Sequence, residues 1–203
     1  MLMNKIETAV INNPVRRVLQ RWYEAPLLRR LGGPLPEGAR VLEIGCGPGY
    51  GARLILESFG AAHVDAVDLD PAMVGRARRR LAPYAGRVRV GVADATDLRA
   101  LVPEGGTYDA VFDFGIIHHV PTWRSALAEV ARVLKPGGIF YFEEVTKHAL
   151  DRASYRILFD HPARDRFTGA EFVAELDRHG LAVRGHRTII FGDFLLGAAD
   201  RTR

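Results

Sequence analysis

Val41-Leu42-Glu43-Ile44-Gly45-Cys46-Gly47-Pro48-Gly49-Tyr50-Gly51 decides how the rest of the chain is read. Three apolar residues and one acid run into four glycines spaced two apart. A short apolar run stopped by glycine is a buried strand. The glycines let the backbone turn tightly and approach a ligand, and a helix that starts behind them points its amide-rich end at the turn. Strand, glycine turn and helix open a βαβ unit. The pyrophosphate-binding pattern G-x-G-x-x-G would need its third glycine at position 50, where Tyr50 stands, so that pattern fails. E-x-G-x-G-x-G stands instead, and a carboxylate at Glu43 favours a cationic ligand over a pyrophosphate.

The alternation continues outward from this stretch. Short apolar runs lie at Arg40–Ile44, His63–Asp68, Val88–Ala93, Tyr108–Phe114 and Gly138–Val145. Helical patterns separate them at Tyr50–Phe59, Pro71–Leu81, Thr96–Leu101 and Thr122–Leu134. Strand-helix alternation predicts right-handed βαβ units around a parallel sheet, with helices on both faces. Val-Leu-Lys-Pro-Gly-Gly (133–138) predicts a helix stop at Lys135 followed by a turn. Thr168–His179 reads as a helix with a capping box from Thr168 to Glu171. Leu181–Thr188 and Ile189–Leu196 read as two adjacent, antiparallel strands. Before the first strand, Asn13 and Pro14 open a helical segment in which Val15, Val18, Leu19 and Trp22 share a face, with Arg16, Arg17, Gln20 and Arg21 off it.

The bulk numbers suit this reading. The chain has 203 residues, of which 48% are hydrophobic and 26% charged, enough for one globular domain with a substantial core. A lone cysteine, Cys46, excludes an intramolecular disulfide and thiolate-rich metal chemistry, and no histidine grouping has ligand spacing, so no metal site is expected. The net charge of +4 is mildly basic and does not demand nucleic acid. No apolar run is long enough to cross a bilayer, and Asn4, Lys5 and Glu7 do not make a signal peptide. A cytoplasmic location, or a peripheral one at an inner membrane surface, is expected.

Val-Leu-Glu-Ile-Gly-Cys-Gly-Pro-Gly (41–49) resembles motif I of class I S-adenosylmethionine (SAM)-dependent methyltransferases. Further motifs follow in the family's order. Val-Asp-Ala-Val-Asp-Leu-Asp-Pro-Ala-Met-Val (64–74) resembles its second strand. Val-Gly-Val-Ala-Asp-Ala-Thr-Asp-Leu (90–98) resembles its third-strand motif. Tyr-Asp-Ala-Val-Phe-Asp-Phe-Gly-Ile-Ile-His-His-Val (108–120) resembles motif IV, and 129–145 the next helix and strand. The similarity covers residues 41–145 and is nearest to the type 11 group, whose members methylate quinones, lipids and polyketides. It implies an α/β, Rossmann-like seven-stranded sheet, mostly parallel with the last strand antiparallel, and an N-terminal helical lid. Residues 1–36 would be the lid and 37–203 the SAM-binding domain, with 146–167 as a cap insertion.

The resemblance also implies roles at the cofactor. Glu43 would offer negative potential to the SAM cations, with Gly45, Gly47 and Gly49 as the close-approach turn. Asp68 would bind the ribose hydroxyls and Leu69 pack on adenine. Asp94 and the Ala95 amide would read the adenine edge. The carbonyls near Phe114 and Gly115 would receive the ammonium, and Tyr23 would reach the SAM carboxylate. Asp70 reads as the cap of the helix beginning at Pro71.

Catalytic residues vary in such enzymes, because the sulfonium is already a good leaving group and alignment in a dry pocket does most of the work. His118 and His119 follow the fourth strand, where a near-neutral base would sit, and also suit capping. Glu143 ends the fifth strand and would hold a cationic acceptor; its neighbour Glu144 points to the opposite face. Trp22 and Tyr50 suit pocket lining or plain packing, and His161 belongs to the cap insertion. The expected reaction is in-line methyl transfer to a small-molecule, quinone or lipid-like acceptor. The alternative is a membrane-associated phospholipid N-methyltransferase, because the N-terminal segment combines an apolar stripe with six Lys/Arg. Rivals of another class are a non-catalytic SAM-binding protein and an NAD(P)-dependent oxidoreductase.

Overall fold

The computed structural model describes residues 13–152 and 165–202. The strands are β1 Arg40–Ile44, β2 His63–Asp68, β3 Val88–Val92, β4 Tyr108–Phe114, β5 Leu134–Val145, β6 Leu181–Ile189 and β7 Phe194–Arg201. The helices are α1 Pro14–Leu19, α2 Ala25–Gly32, α3 Tyr50–Leu54, α4 Pro71–Leu81, α5 Trp123–Val133, α6 Lys147–Leu150 and α7 Gly169–Arg178. Among the described residues the strands make one sheet in the order β3-β2-β1-β4-β5-β7-β6. β1 lies between β2 and β4, parallel to both, and β3 and β5 continue the parallel run. β7 is antiparallel to β5 and to β6. This is the expected Rossmann-like sheet, mostly parallel with the last strand antiparallel. The strand order reverses between β1 and β4, and a cleft opens there beyond the strand ends.

Alternation along each strand builds two cores. Leu42, Ile44, Val111, Phe140 and Phe142 point to one face, against Trp123 and Leu127 of α5 and Phe172 of α7. Val41, Ala110, Phe112 and Tyr141 point to the other, against Leu28 of α2 and Ile55 behind α3. On that second face Phe112 and Tyr141 stack at 4.4 Å and Phe59 meets Phe112 edge-on at 4.6 Å. Burial on both faces explains why these strands read as continuous apolar runs.

Four expectations are corrected. First, Thr96–Leu101 is a chain of turns. Asp94 accepts from the Thr96 N–H at 2.8 Å and Asp97 from the Arg99 N–H at 3.2 Å, so side chains compete with helical bonding. Second, α5 ends at Val133 and β5 begins at Leu134, so Lys135–Gly138 is a bulge inside the strand and not a turn before it. Pairing moves from Tyr108↔Leu134 to Ala110↔Ile139, and Lys135 Nζ anchors the bulge on Asp109 at 2.6 Å. Third, β7 does not begin at Ile189. Ile190–Gly192 form a turn with left-handed backbone, φ 51° at Ile190 and 55° at Phe191, and the strand runs from Phe194 to Arg201.

The fourth correction concerns the N-terminal segment. Asn13 caps α1 as expected, accepting from the Val15 N–H at 2.9 Å, and the helix continues through a π-helical stretch Gln20–Glu24 into α2. Its face is reversed. Val15, Val18, Leu19 and Trp22 point to solvent, while Gln20 and Glu24 are buried and Arg16 reaches inward. Arg16 bonds Glu24 on its own segment and Glu143 of β5 at 2.6 Å. The surface beneath is carboxylate-rich, so the polar stripe packs and the apolar one stays outside. Val10, Ile11, Lys5 and His161 lie outside the described residues, as does 153–164 of the cap insertion.

Candidate functional site

The cleft opens at the reversal of strand order. Its walls come from the ends of β1, β2, β3 and β4: Gly45, Asp68, Leu69, Asp94, Ala95, Ile116 and His119 among others. Asp68, Asp70 and Asp94 are its carboxylates, and no Lys or Arg among the described residues lines it. Such a wall suits a ligand with hydroxyls and cations and opposes one with phosphates.

The glycine turn is built as its spacing requires. Gly45 has φ 66°, and a Cβ there would lie 2.2 Å from the Ile116 side chain. Gly49 has φ 84° and occupies the cap position of α3. The Gly47 N–H donates to Asp68 Oδ2 at 2.8 Å and the Asp70 N–H to Asp68 Oδ1 at 2.8 Å. The Asp68 carboxylate is therefore oriented before any ligand arrives. Burial raises its pKa and the two backbone bonds oppose the rise. Asp70 caps α4, accepting from the Ala72 N–H at 2.7 Å.

Glu43 lies behind the turn, not in the cleft wall. Its carboxyl slots under α3, where a Cβ on Gly51 would come within 1.9 Å of Oε1, and it accepts from the Ala52 backbone. Burial, with Asp68 and Asp113 nearby, holds its pKa well above the carboxylate range. Its Oε2 is buried without a partner among the described residues.

Leu69 is half exposed on the cleft wall, and Asp94 and Ala95 face it across the opening. Asp94 Oδ1 is taken by the Thr96 amide and hydroxyl. Phe114 packs on Phe112 at 5.7 Å, and Gly115 has φ 88° at the strand end. Tyr23 and Trp22 stand exposed on the N-terminal segment and line none of this cleft. Tyr50 turns away from it, its hydroxyl donating to the Arg17 carbonyl at 3.0 Å and tying α1 to the glycine turn.

The histidines part company. His119 lines the cleft beside Asp94 and Val120. His118 turns toward β5, where its Nδ1 lies 2.6 Å from Glu144 Oε2. Glu143 is not open to an acceptor amine: Arg16 occupies it, and burial nevertheless pushes its pKa up. Arg16 and Glu24 carry no motif signal in the sequence and meet Glu143 only because α1 crosses the end of β5. No cluster of three or more metal-ligating side chains occurs among the described residues.

Comparison with known proteins agrees with this geometry. Residues 41–138 match the family described as a methyltransferase domain. The chain is 36% identical over 168 residues to malonyl-[acyl-carrier protein] O-methyltransferase of Halorhodospira halophila, covering 77% of this chain and 56% of that protein. It is 30% identical over 145 residues to trans-aconitate 2-methyltransferase of an Azoarcus species, covering 70% and 53%. The chain thus spans about half the length of the curated relatives it matches. Its fold superposes on a SAM-dependent methyltransferase from Aquifex aeolicus with a TM-score of 0.72 at 22% identity, covering 97% of both chains.

Proposed function

We propose that the protein is a class I, SAM-dependent methyltransferase that transfers a methyl group from SAM to a small-molecule acceptor, a reading supported by the match of residues 41–138 to the methyltransferase domain family. The observation that carries this reading is Asp68, a cleft carboxylate whose two oxygens are each held by a backbone N–H of the glycine turn and the β2 end. That arrangement fits a ribose diol, each hydroxyl donating to a remaining lone pair. Leu69 offers an apolar wall to adenine, with Asp94 and the Ala95 amide at its edge. The Phe114 and Gly115 carbonyls, at the end of β4, offer acceptors to the ammonium. Gly45, Gly47 and Gly49 leave room for the methionyl chain. Tyr23 joins the carboxylate only when the segment 1–36 closes as a lid over the domain 37–203, with 146–167 as the cap on the acceptor side.

SAM supplies, when bound, a methyl group already activated on a sulfonium. The chain's own work is to orient that group over Gly115, exclude water and admit the acceptor. Calorimetric titration with SAM and, separately, with NADH tests the reading. Binding of NADH in preference to SAM would sink it. Incubation with methyl-labelled SAM and a cell extract, followed by phase partition, then separates an apolar acceptor from a polar one. SAM binding with no label transfer would leave a SAM-binding protein.

A second reading concerns a lipid-like acceptor at a membrane. It rests on the reversed N-terminal helix: Val15 is 72% exposed, Val18 59% and Trp22 73%. Arg17 and Arg21 border this stripe, a pattern that suits an anionic bilayer surface. No helix among the described residues is long and apolar enough to cross a membrane. Cosedimentation with phosphatidylglycerol vesicles, and its loss in Trp22→Glu, is the expected outcome; no pelleting of the wild type removes this reading and leaves the methyltransferase one standing.

A further inference from the structure

The end of the sheet opposite the cofactor cleft carries a second polar depression. It lies at the starts of β1, β2 and β3 and is lined by Arg40, His63, Asp65, Gly86, Arg87 and Arg89 among others. Asp65 stands three residues before Asp68 on β2, about 10 Å back along the strand. It is the single carboxylate among the described residues of this lining, against three arginines.

The arginines are held in place. Arg89 grips Asp65 with two bonds, from Nε at 2.6 Å and from Nη2 at 2.8 Å, and Arg40 Nη2 donates to Asp65 Oδ2 at 2.9 Å. The Tyr108 hydroxyl donates to the same oxygen at 2.8 Å, and the Arg40 guanidinium rests 5.3 Å from the centre of the Tyr108 ring. Burial opposes ionisation of Asp65, yet the bonds from Arg89, Arg40 and Tyr108 hold its pKa below the usual carboxylate value. Asp65 is therefore a fixed negative charge, its side chain 6% exposed, that sets two guanidiniums side by side. Arg87 is tethered separately, Nε to the Ala62 carbonyl at 3.1 Å and Nη2 to the Ala61 carbonyl at 2.6 Å. Nη1 of all three arginines takes no hydrogen bond among the described residues.

Three guanidiniums against one carboxylate leave two positive charges unbalanced. Guanidinium N–H groups in fixed positions, with that excess charge, match a tetrahedral oxyanion carrying two negative charges. We propose that this depression is a phosphate site, taking inorganic phosphate or the phosphate of a monoester, and that it works apart from the methyl-transfer cleft. The proposal goes beyond the methyltransferase reading and does not depend on it. The two ends of the sheet are opposite in charge: carboxylates wall the cleft and repel a dianion, whereas arginines draw one to the other end. Asp65 and the backbone carbonyls orient the guanidiniums beforehand, so little side-chain freedom is lost on binding.

Titration of inorganic phosphate into the full chain, at an ionic strength held constant with sodium chloride, tests it. Binding followed by phosphorus-31 and amide spectra should saturate at one phosphate per chain. The amide signals of His63, Gly86 and Arg87 should move, while those of Gly45, Gly47 and Asp68 stay. Arg87→Gln leaves Asp65 and its partners intact and should weaken binding by about tenfold or more, as loss of a charge-assisted bond requires. Arg89→Gln should weaken it at least as much, but it also strips Asp65 of a partner, so Arg87→Gln decides. No saturation below about 20 mM phosphate overturns the proposal, as does undiminished binding by Arg87→Gln. Displacement of phosphate by SAM overturns it too, since the anion would then lie in the cofactor cleft. Glycerol 3-phosphate separates the sources: binding as tight as that of phosphate admits a monoester, and its exclusion confines the site to the free ion, either result upholding the site. Failure of the protein to bind SAM would sink the methyltransferase reading and leave the phosphate result untouched.

Discussion

Asp68 shows how much one side chain can be asked to do. Its carboxylate knits the glycine turn to the end of β2 through two backbone N–H groups, and in the proposed reading it also accepts from the ribose diol. Asp68→Ala is expected to weaken SAM binding by about 2–3 kcal/mol, since charge-assisted bonds are lost and two turn amides lose their partner. Calorimetry checks it; affinity within a factor of two of wild type would move the ribose elsewhere. Glu43 teaches the complementary lesson. Motif order predicts an acid there and a cation near it, whereas its buried position under Gly51 is a matter of how α3 sits on the strand. A glutamate in that slot also explains why Gly51 tolerates no Cβ.

At the scale of elements, the N-terminal helix is the main departure from expectation. Helical periodicity shows that a segment has two faces, but not which face will be covered, because that depends on the surface it meets. Here that surface presents Glu143 at the end of β5, and Arg16 meets it together with Glu24. The apolar stripe of Val15, Val18, Leu19 and Trp22 is therefore left outward. Arg16→Leu would leave two buried glutamates facing each other. We expect it to loosen α1 and the stretch to Glu24 by about 2 kcal/mol, read as faster amide hydrogen exchange there with the sheet unchanged. Uniform protection would mean that Tyr50 and α2 hold the segment unaided. The turns of Thr96–Leu101 and the bulge at Lys135–Gly138 escaped sequence reading for a related reason. Aspartate side chains and a lysine–aspartate contact decided the local backbone, and a hydropathy pattern carries no record of them.

For the whole molecule, the notable cost is acid held in the core. Burial raises Glu43 and Asp113 well above the carboxylate range and pushes Glu144 to about 7. An unfolded glutamate titrates near 4.3, so between roughly pH 4.5 and 7 the folded state holds more protons than the unfolded one. Stability from this source is full below the unfolded value and is lost as pH rises through the folded one. The expected result is a fall on the order of 2 kcal/mol between pH 5 and 8 in urea unfolding, flattened in Glu144→Gln. The lowered carboxyls, such as Glu57 at about 2, work in the other direction but only in more acidic solution, outside this window. A rise in stability across pH 5 to 8 would contradict the raised values.

Sequence by itself determined the parallel sheet, the glycine turn, the cap residues Asn13, Asp70 and Thr168, and the positions of Glu43, Asp68 and Asp94 along the chain. These follow from local physics: period-two or continuous apolar runs, residues that tolerate positive φ, and side chains that cap helices within a few residues of themselves. Tertiary structure alone decided that Glu143 belongs to Arg16, that His118 leans on Glu144 while His119 faces the cleft, and that the first helix packs with its polar side inward. Each of those pairings joins groups 26 or more residues apart, or turns on which surface an element meets. Hydrogen-bond geometry and desolvation at such distances exist only once the strands have been placed side by side.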